Sequence, residues 1–215
     1  MARILESVFI DGPAGKLEAL HEGPEDGVAI DRVAVVCHPH PLHGGTLHNK
    51  VVFRLARGIR NAGSAVIRFN FRGAGLSDGK HDDGKGEQDD VRAVVAFAKE
   101  SYPNLPVLCA GFSFGSNIGL RVAAKDGGFE RFIAAGLPVD RGGFEFLAKC
   151  DFPKIFIHST NDGHGSRENM QKVFDAAAEP KLMEWVEAED HFFVHRLEQF
   201  EQKVIAAVLH DFEEE

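Results

Sequence analysis

The chain has little cysteine, no basic block and no long apolar run. Its three cysteines (Cys37, Cys109, Cys150) are few and odd in number, and two of them stand in strand-like apolar runs. They read as small buried hydrophobes of a reducing compartment, which argues against a disulfide framework. The formal net charge is −9 and no cluster of lysine and arginine offers a face to phosphates, so nucleic acid is not an expected partner. No apolar stretch approaches bilayer-spanning length, and residues 1–11 hold no basic region followed by an apolar run. Neither a membrane segment nor a secretion signal is therefore expected, and the expected location is cytoplasmic. Internal repeats and low-complexity tracts are missing too. What remains is an ordinary globular composition, 44% hydrophobic and 27% charged, in 215 residues. That length predicts a single domain over 1–215 with a sizeable core.

Periodicity divides the chain into alternating strands and helices. Two short strands, Ser7–Ile10 and Leu17–His21, flank a Gly12-Pro13-Ala14-Gly15 turn, and Glu25–Asp31 is a polar connection. Val33–Cys37 and Ala65–Phe69 are continuous apolar runs, as expected of strands buried on both faces. Between them, Val52, Leu55, Ala56 and Ile59 predict a helix over Asn49–Ala62. A Gly/Asp-rich loop fills Phe71–Gly86, and Val91, Val94, Val95 and Ala98 predict a helix over Glu87–Glu100. Further strands are expected at Val107–Ala110, Phe132–Ala135, Lys154–His158 and Leu182–Val186. Helices are expected over Arg167–Ala178 and Val194–Leu209, and Glu213–Glu215 as a solvated tail. Strands alternating with helices imply an α/β fold with a mostly parallel sheet covered on both faces, and function gathers at the carboxyl ends of such strands.

The stretch at the centre of this pattern is PVLCAGFSFGSNIGLRVAA. Its turn Gly111-Phe112-Ser113-Phe114-Gly115 matches G-x-S-x-G between a strand and a helix, the nucleophile-elbow arrangement. A strand turning this sharply strains the central residue, and side chains two residues to either side would collide with it. The Ser113 hydroxyl then stands clear at a helix start, where the dipole favours developing negative charge.

A serine hydroxyl needs a base, and the base an orienting acid. His191 follows the last strand in Asp190-His191-Phe192-Phe193; His195, one turn on, is expected to decorate the final helix. Asp162 projects from the end of the Lys154–His158 strand, and Asp140 follows the preceding strand as the alternative acid. The order Ser…Asp…His, each after its own strand, favours Ser113, Asp162 and His191. An oxyanion hole needs two backbone N–H groups. Phe114, after the nucleophile, supplies one. In His38-Pro39-His40-Pro41 the prolines have no N–H, which leaves His40 as the second donor. His38, His40, His43 and His48 also suggest a metal cluster. No carboxylate or cysteine accompanies them at regular spacing, so no metal is expected and His38 is read as a buried, hydrogen-bonded side chain.

The segments HPHPLHGGTLHNKVV, RFNFRGAGLSDG, GFSFGS, the Asp162 loop and DHFF around His191 extend over nearly the full length. In these the chain resembles the α/β-hydrolase fold and, within it, small lidless bacterial serine hydrolases related to the dienelactone hydrolases. The resemblance implies a Ser113–His191–Asp162 triad and hydrolysis of carboxylic esters, often with short acyl chains; no cofactor is expected. Dienelactone hydrolases carry a cysteine nucleophile where this chain has serine, so a dienelactone substrate is not implied. Between Gly136 and Lys154, where lid domains of this fold enter, there is little room for a cap. An open site touched by Leu42, His43, Phe112, His164 and Phe192 is expected. Thioester or aminoacyl and dipeptidyl substrates, and a non-catalytic ligand-binding module, are the alternatives, and the oligomeric state is not predicted.

Overall fold

The apolar runs assemble into one eight-stranded sheet in the order β1-β2-β4-β3-β5-β6-β7-β8. The computed structural model describes residues 4–25 and 28–212; the acidic 213–215 end and part of the 25–31 connection lie outside the described residues. Leu5–Gly12 (β1) and Gly15–Glu22 (β2) form an antiparallel hairpin, longer than the sequence pattern predicts because pairing continues out to Gly12 opposite Gly15. β2 runs antiparallel to Ala65–Phe69 (β4). Val33–Cys37 (β3), Val107–Phe112 (β5), Arg131–Ala135 (β6), Lys154–Ser159 (β7) and Lys181–Val186 (β8) complete the sheet in parallel with β4.

Alternate residues of the same strand enter different cores, the physical meaning of an uninterrupted apolar run. Val33, Val35 and Cys37 pack with the helices Gly86–Ser101 (α2), Phe114–Asp126 (α3) and Arg167–Ala176 (α4). Ala34 and Val36 pack on the other face, with Lys50–Asn61 (α1) and Leu197–Leu209 (α5). The Asn49 side chain caps α1 by accepting from the Val51 N–H at 2.9 Å. The three cysteines are free and buried.

Two expectations are corrected. The last helix begins at Leu197 rather than Val194, and His195 therefore lies in the turn ahead of it. Asp190 Oδ1 accepts the N–H groups of Phe192 and Val194, both at 3.0 Å, while Phe193 and His195 adopt positive φ. A side chain that bonds local amides this way competes with helix formation. The helix before β8 also stops at Ala176, two residues short of the expected Ala178.

Only short turns, Val139–Arg141 and Glu145–Lys149, occupy the β6–β7 connection, and no lid covers the carboxyl edge of the sheet among the described residues. No helix of the described residues is long and apolar enough to cross a membrane.

Candidate functional site

At the end of β5 the chain turns into α3 through Ser113, held at φ 55° and ψ −119°. A non-glycine residue there costs on the order of 1–3 kcal/mol and persists only where its surroundings impose it. The Ser113 N–H donates to the Ala135 carbonyl at 2.9 Å. Its own carbonyl accepts from the Ser116 N–H at 3.0 Å and the Ser116 hydroxyl at 2.6 Å. The flanking glycines are required by close approach to backbone rather than to the serine. A Cβ on Gly115 would sit 2.4 Å from the Cys37 carbonyl oxygen, and one on Gly111 2.5 Å from the Gly115 carbonyl carbon.

His191, on the loop after β8, places Nε2 2.8 Å from Ser113 Oγ and Nδ1 2.6 Å from Asp162 Oδ2. A carboxylate only accepts, so Nδ1 carries the proton and Nε2 is left to accept from the serine hydroxyl. Asp162, at the end of β7, is buried. Burial alone would raise its pKa; the His191 hydrogen bond, the neighbouring imidazoles and the His164 N–H outweigh that and hold it below the usual carboxylate value. Its Oδ1 accepts the N–H groups of His164 at 2.7 Å and Gly165 at 3.2 Å. The two loops are tied together where Asn161 Nδ2 and Ser159 Oγ donate to the Ala188 carbonyl, at 2.8 and 3.3 Å. Asp140 points elsewhere: it accepts from the Ser166 N–H and hydroxyl and from Asn169 Nδ2, at the start of α4. Of the two acids the sequence offers, the fold brings Asp162 to the histidine.

The loop after β3 is fixed by His38. Its Nδ1–H donates to the Pro39 carbonyl at 2.6 Å, and Nε2 accepts the Phe71 N–H at 3.0 Å. Leu47 anchors the far end of the loop, its N–H donating to Asn70 Oδ1 at 2.7 Å and its carbonyl accepting from Arg68 Nη1 at 2.7 Å. The His40 carbonyl accepts from the His43 and Gly45 N–H groups, both at 3.0 Å. Among the described residues the N–H groups of His40 and Phe114 donate to no protein acceptor. The His40 and His43 rings stack at 4.4 Å, and His81 lies 4.9 Å from His40. No three such side chains form a possible metal-holding group among the described residues.

Burial pushes the His38 pKa from 6.5 down to about 4, against the Pro39 hydrogen bond. The unfolded chain thus protonates at this position before the folded one does. Stability from His38 is full above about 6.5 and is lost as the pH falls toward 4, by roughly 3 kcal/mol. Thermal melts followed by circular dichroism should show a falling Tm over that window. His38→Gln should be less stable at pH 7 but lose less on acidification. The slope will shrink rather than vanish, because burial also lowers His158 and His21. An equal slope in both proteins would remove His38 from this account.

A pocket of about 130 Å³ opens over Ser113 and His191, with Pro39, His43, Asn117, His164 and Phe192 in its wall. Leu42 and Phe112, expected as contacts, do not line it. Leu42 is 70% exposed on the short 3₁₀ turn Pro41–His43, and Phe112 is fully buried beneath His191, their ring centroids 4.8 Å apart. Two residues went unnoticed in the sequence. His158, fully buried, donates from Nε2 to the Gly165 carbonyl at 2.7 Å and sits 3.6 Å from Asp162 Oδ2, bracing the acid's loop. A histidine ending the apolar run Lys154–Ser159 was its one signal. Arg141, also in the pocket wall, had none.

A doubly wound sheet with a strained serine at its carboxyl edge and no lid defines an α/β serine hydrolase without a lid, and the chain belongs to that family. It is 33% identical to an α/β serine hydrolase homologue from Coxiella burnetii, with a TM-score of 0.88 over 93% of this chain and 95% of that one. It is 32% identical to an α/β serine hydrolase without lid from Xanthomonas campestris, again with a TM-score of 0.88, over 95% and 94% of the two chains. An uncharacterized protein of Rickettsia prowazekii (strain Madrid E) is 30% identical over 209 residues, 93% of this chain and 87% of that protein. The family model described as serine aminopeptidase, S33, matches residues 34–138.

Proposed function

We propose that this protein is a carboxylesterase for small, short-acyl esters, working through an acyl-enzyme. The observation that carries the reading is the unbroken hydrogen-bonded chain from Ser113 through His191 to Asp162, built around a strained serine in an open pocket. In this mechanism His191 Nε2 takes the hydroxyl proton as Ser113 Oγ attacks the ester carbonyl carbon. The ionised Asp162 orients the imidazole and stabilises its charged form. The N–H groups of His40 and Phe114 receive the developing oxyanion, and two donors already fixed by the backbone cost no reorganisation during reaction. Collapse of the tetrahedral adduct breaks the ester C–O bond, and His191 returns the proton to the departing alkoxide. A water then attacks the acyl-enzyme with His191 again as base, releasing the carboxylic acid and restoring Ser113.

The S33 match makes an aminopeptidase the second reading. Such an enzyme must receive an α-ammonium, and among the described residues the wall of this pocket contains no aspartate or glutamate. Esters are favoured for that reason. A fluorophosphonate probe should label the protein once, on the peptide carrying Ser113, and p-nitrophenyl acetate should turn over while aminoacyl p-nitroanilides do not. An unlabelled, properly folded protein would sink the reading in favour of a non-catalytic binding module.

A further inference from the structure

Arg141 is the one arginine among the described residues whose guanidinium has no hydrogen bond, ion pair or aromatic face. The others bond carboxylates or carbonyls, as Arg72 does Asp90 and Arg196 the Glu187 carbonyl, or stack, as Arg167 does over Trp185. Arg141 instead ends the short turn after β6 and is part of the pocket wall that also holds Ser113. Its neighbour Asp140 is turned away and occupied at α4. In a chain with 33 acidic residues and a net charge of −9, the pocket wall contains no carboxylate among the described residues. A second recess continues from it past His40, Phe114, Asn117 and Arg141, and holds Arg121 and Lys85 with a single carboxylate, Asp83. Asp83 is exposed and faces His81. Asn117 spends its side-chain oxygen on Arg121 Nε at 2.9 Å, so its amide N–H groups remain as donors beside Arg141.

We infer that the substrate is a small ester bearing one carboxylate, recognised by Arg141. This rests on the esterase reading above and names its substrate class. A guanidinium presents paired N–H donors that match a carboxylate, and it stays charged at any working pH. Among the described residues Arg141 is the one Lys or Arg in the wall of the Ser113 pocket, beside the neutral Asn117 amide, and that suits a single negative charge. Burial first, and then the neighbouring His43, His81 and Arg141, lower the His40 pKa against the nearby Glu87.

The test compares kcat/KM, by pH-stat, for carboxylate esters and neutral counterparts of similar size. Monomethyl glutarate is set against methyl pentanoate for a carboxylate on the acyl side. Carboxymethyl acetate is set against propyl acetate for one on the alcohol side. In the native protein the carboxylate ester should be preferred by about ten-fold or more in one placement, as a charge-assisted hydrogen bond gives. Arg141→Gln should collapse that ratio toward one, Arg141→Lys should restore part of it, and added salt should erode it in the native protein. Neutral esters turned over with no carboxylate preference in either placement, or a preference that survives Arg141→Gln, overturns the inference while leaving an esterase. If no ester turns over at all, the esterase reading fails, and binding still decides the site. By calorimetry Ser113→Ala should bind monomethyl glutarate more tightly than methyl pentanoate, and the added Arg141→Gln should abolish the difference. Equal binding of the two ligands overturns the inference.

Discussion

Ser113→Ala should lower kcat for p-nitrophenyl acetate by on the order of a million-fold and leave the fold intact. A triad without its nucleophile loses nearly everything the three residues do together, because base and acid act only through that oxygen. The bonds that impose the turn are backbone bonds, from the Ser113 N–H to Ala135 and from Ser116 to the Ser113 carbonyl, and alanine keeps both. Its methyl group meets the same positive φ as the serine side chain, so the strain is little changed. The measurement pairs initial rates with a thermal melt and with fluorophosphonate labelling. The melt should be close to native and the labelling gone. A native-like rate in a preparation free of contaminating esterase would show that the hydrolysis runs through another group.

Asp162→Asn should cost about 10⁴ in kcat, with a small change in KM, through the tautomer of His191. The geometry dictates how the amide sits. Oδ1 of Asp162 accepts the His164 and Gly165 N–H groups, so the amide oxygen occupies that position and the NH₂ group turns to His191 Nδ1. A donor facing Nδ1 drives the ring proton to Nε2, where it opposes the serine hydroxyl instead of accepting from it. Asp140→Asn is the control. It weakens contacts to Ser166 and Asn169 at the start of α4 and should alter stability far more than kcat. If Asp140→Asn were the crippling change and Asp162→Asn mild, the acid would be Asp140 and the hydrogen bond to His191 incidental.

Much of this protein is decided locally and was legible in the chain. Val33–Cys37 and Ala65–Phe69 are apolar at every position because both faces of the sheet are covered, and no other element produces that pattern so compactly. The glycines around Ser113 mark the elbow because side chains there would enter the Cys37 carbonyl and the Gly115 backbone. The prolines on either side of His40 single out its N–H within four residues. The choice between Asp140 and Asp162 was not local. Each follows a parallel strand, and spacing along the chain is silent on which loop leans toward His191. That is settled by β7 lying beside β8, with Asn161 and Ser159 bonding the Ala188 carbonyl to bring the loops together. The start of the last helix escaped for a related reason, since Asp190 takes amides that apolar periodicity assigns to a helix. Arg141 and His158 belong wholly to the tertiary structure. A charged residue in a turn and a histidine in a strand gain their meaning from what surrounds them. Here the surroundings are a pocket wall free of carboxylates among the described residues, and the loop that carries Asp162. The site joins residues 78 and 29 positions apart in the chain. Hydrophobic periodicity fixes which segments become strands, while strand register and side-chain direction decide which of their ends meet.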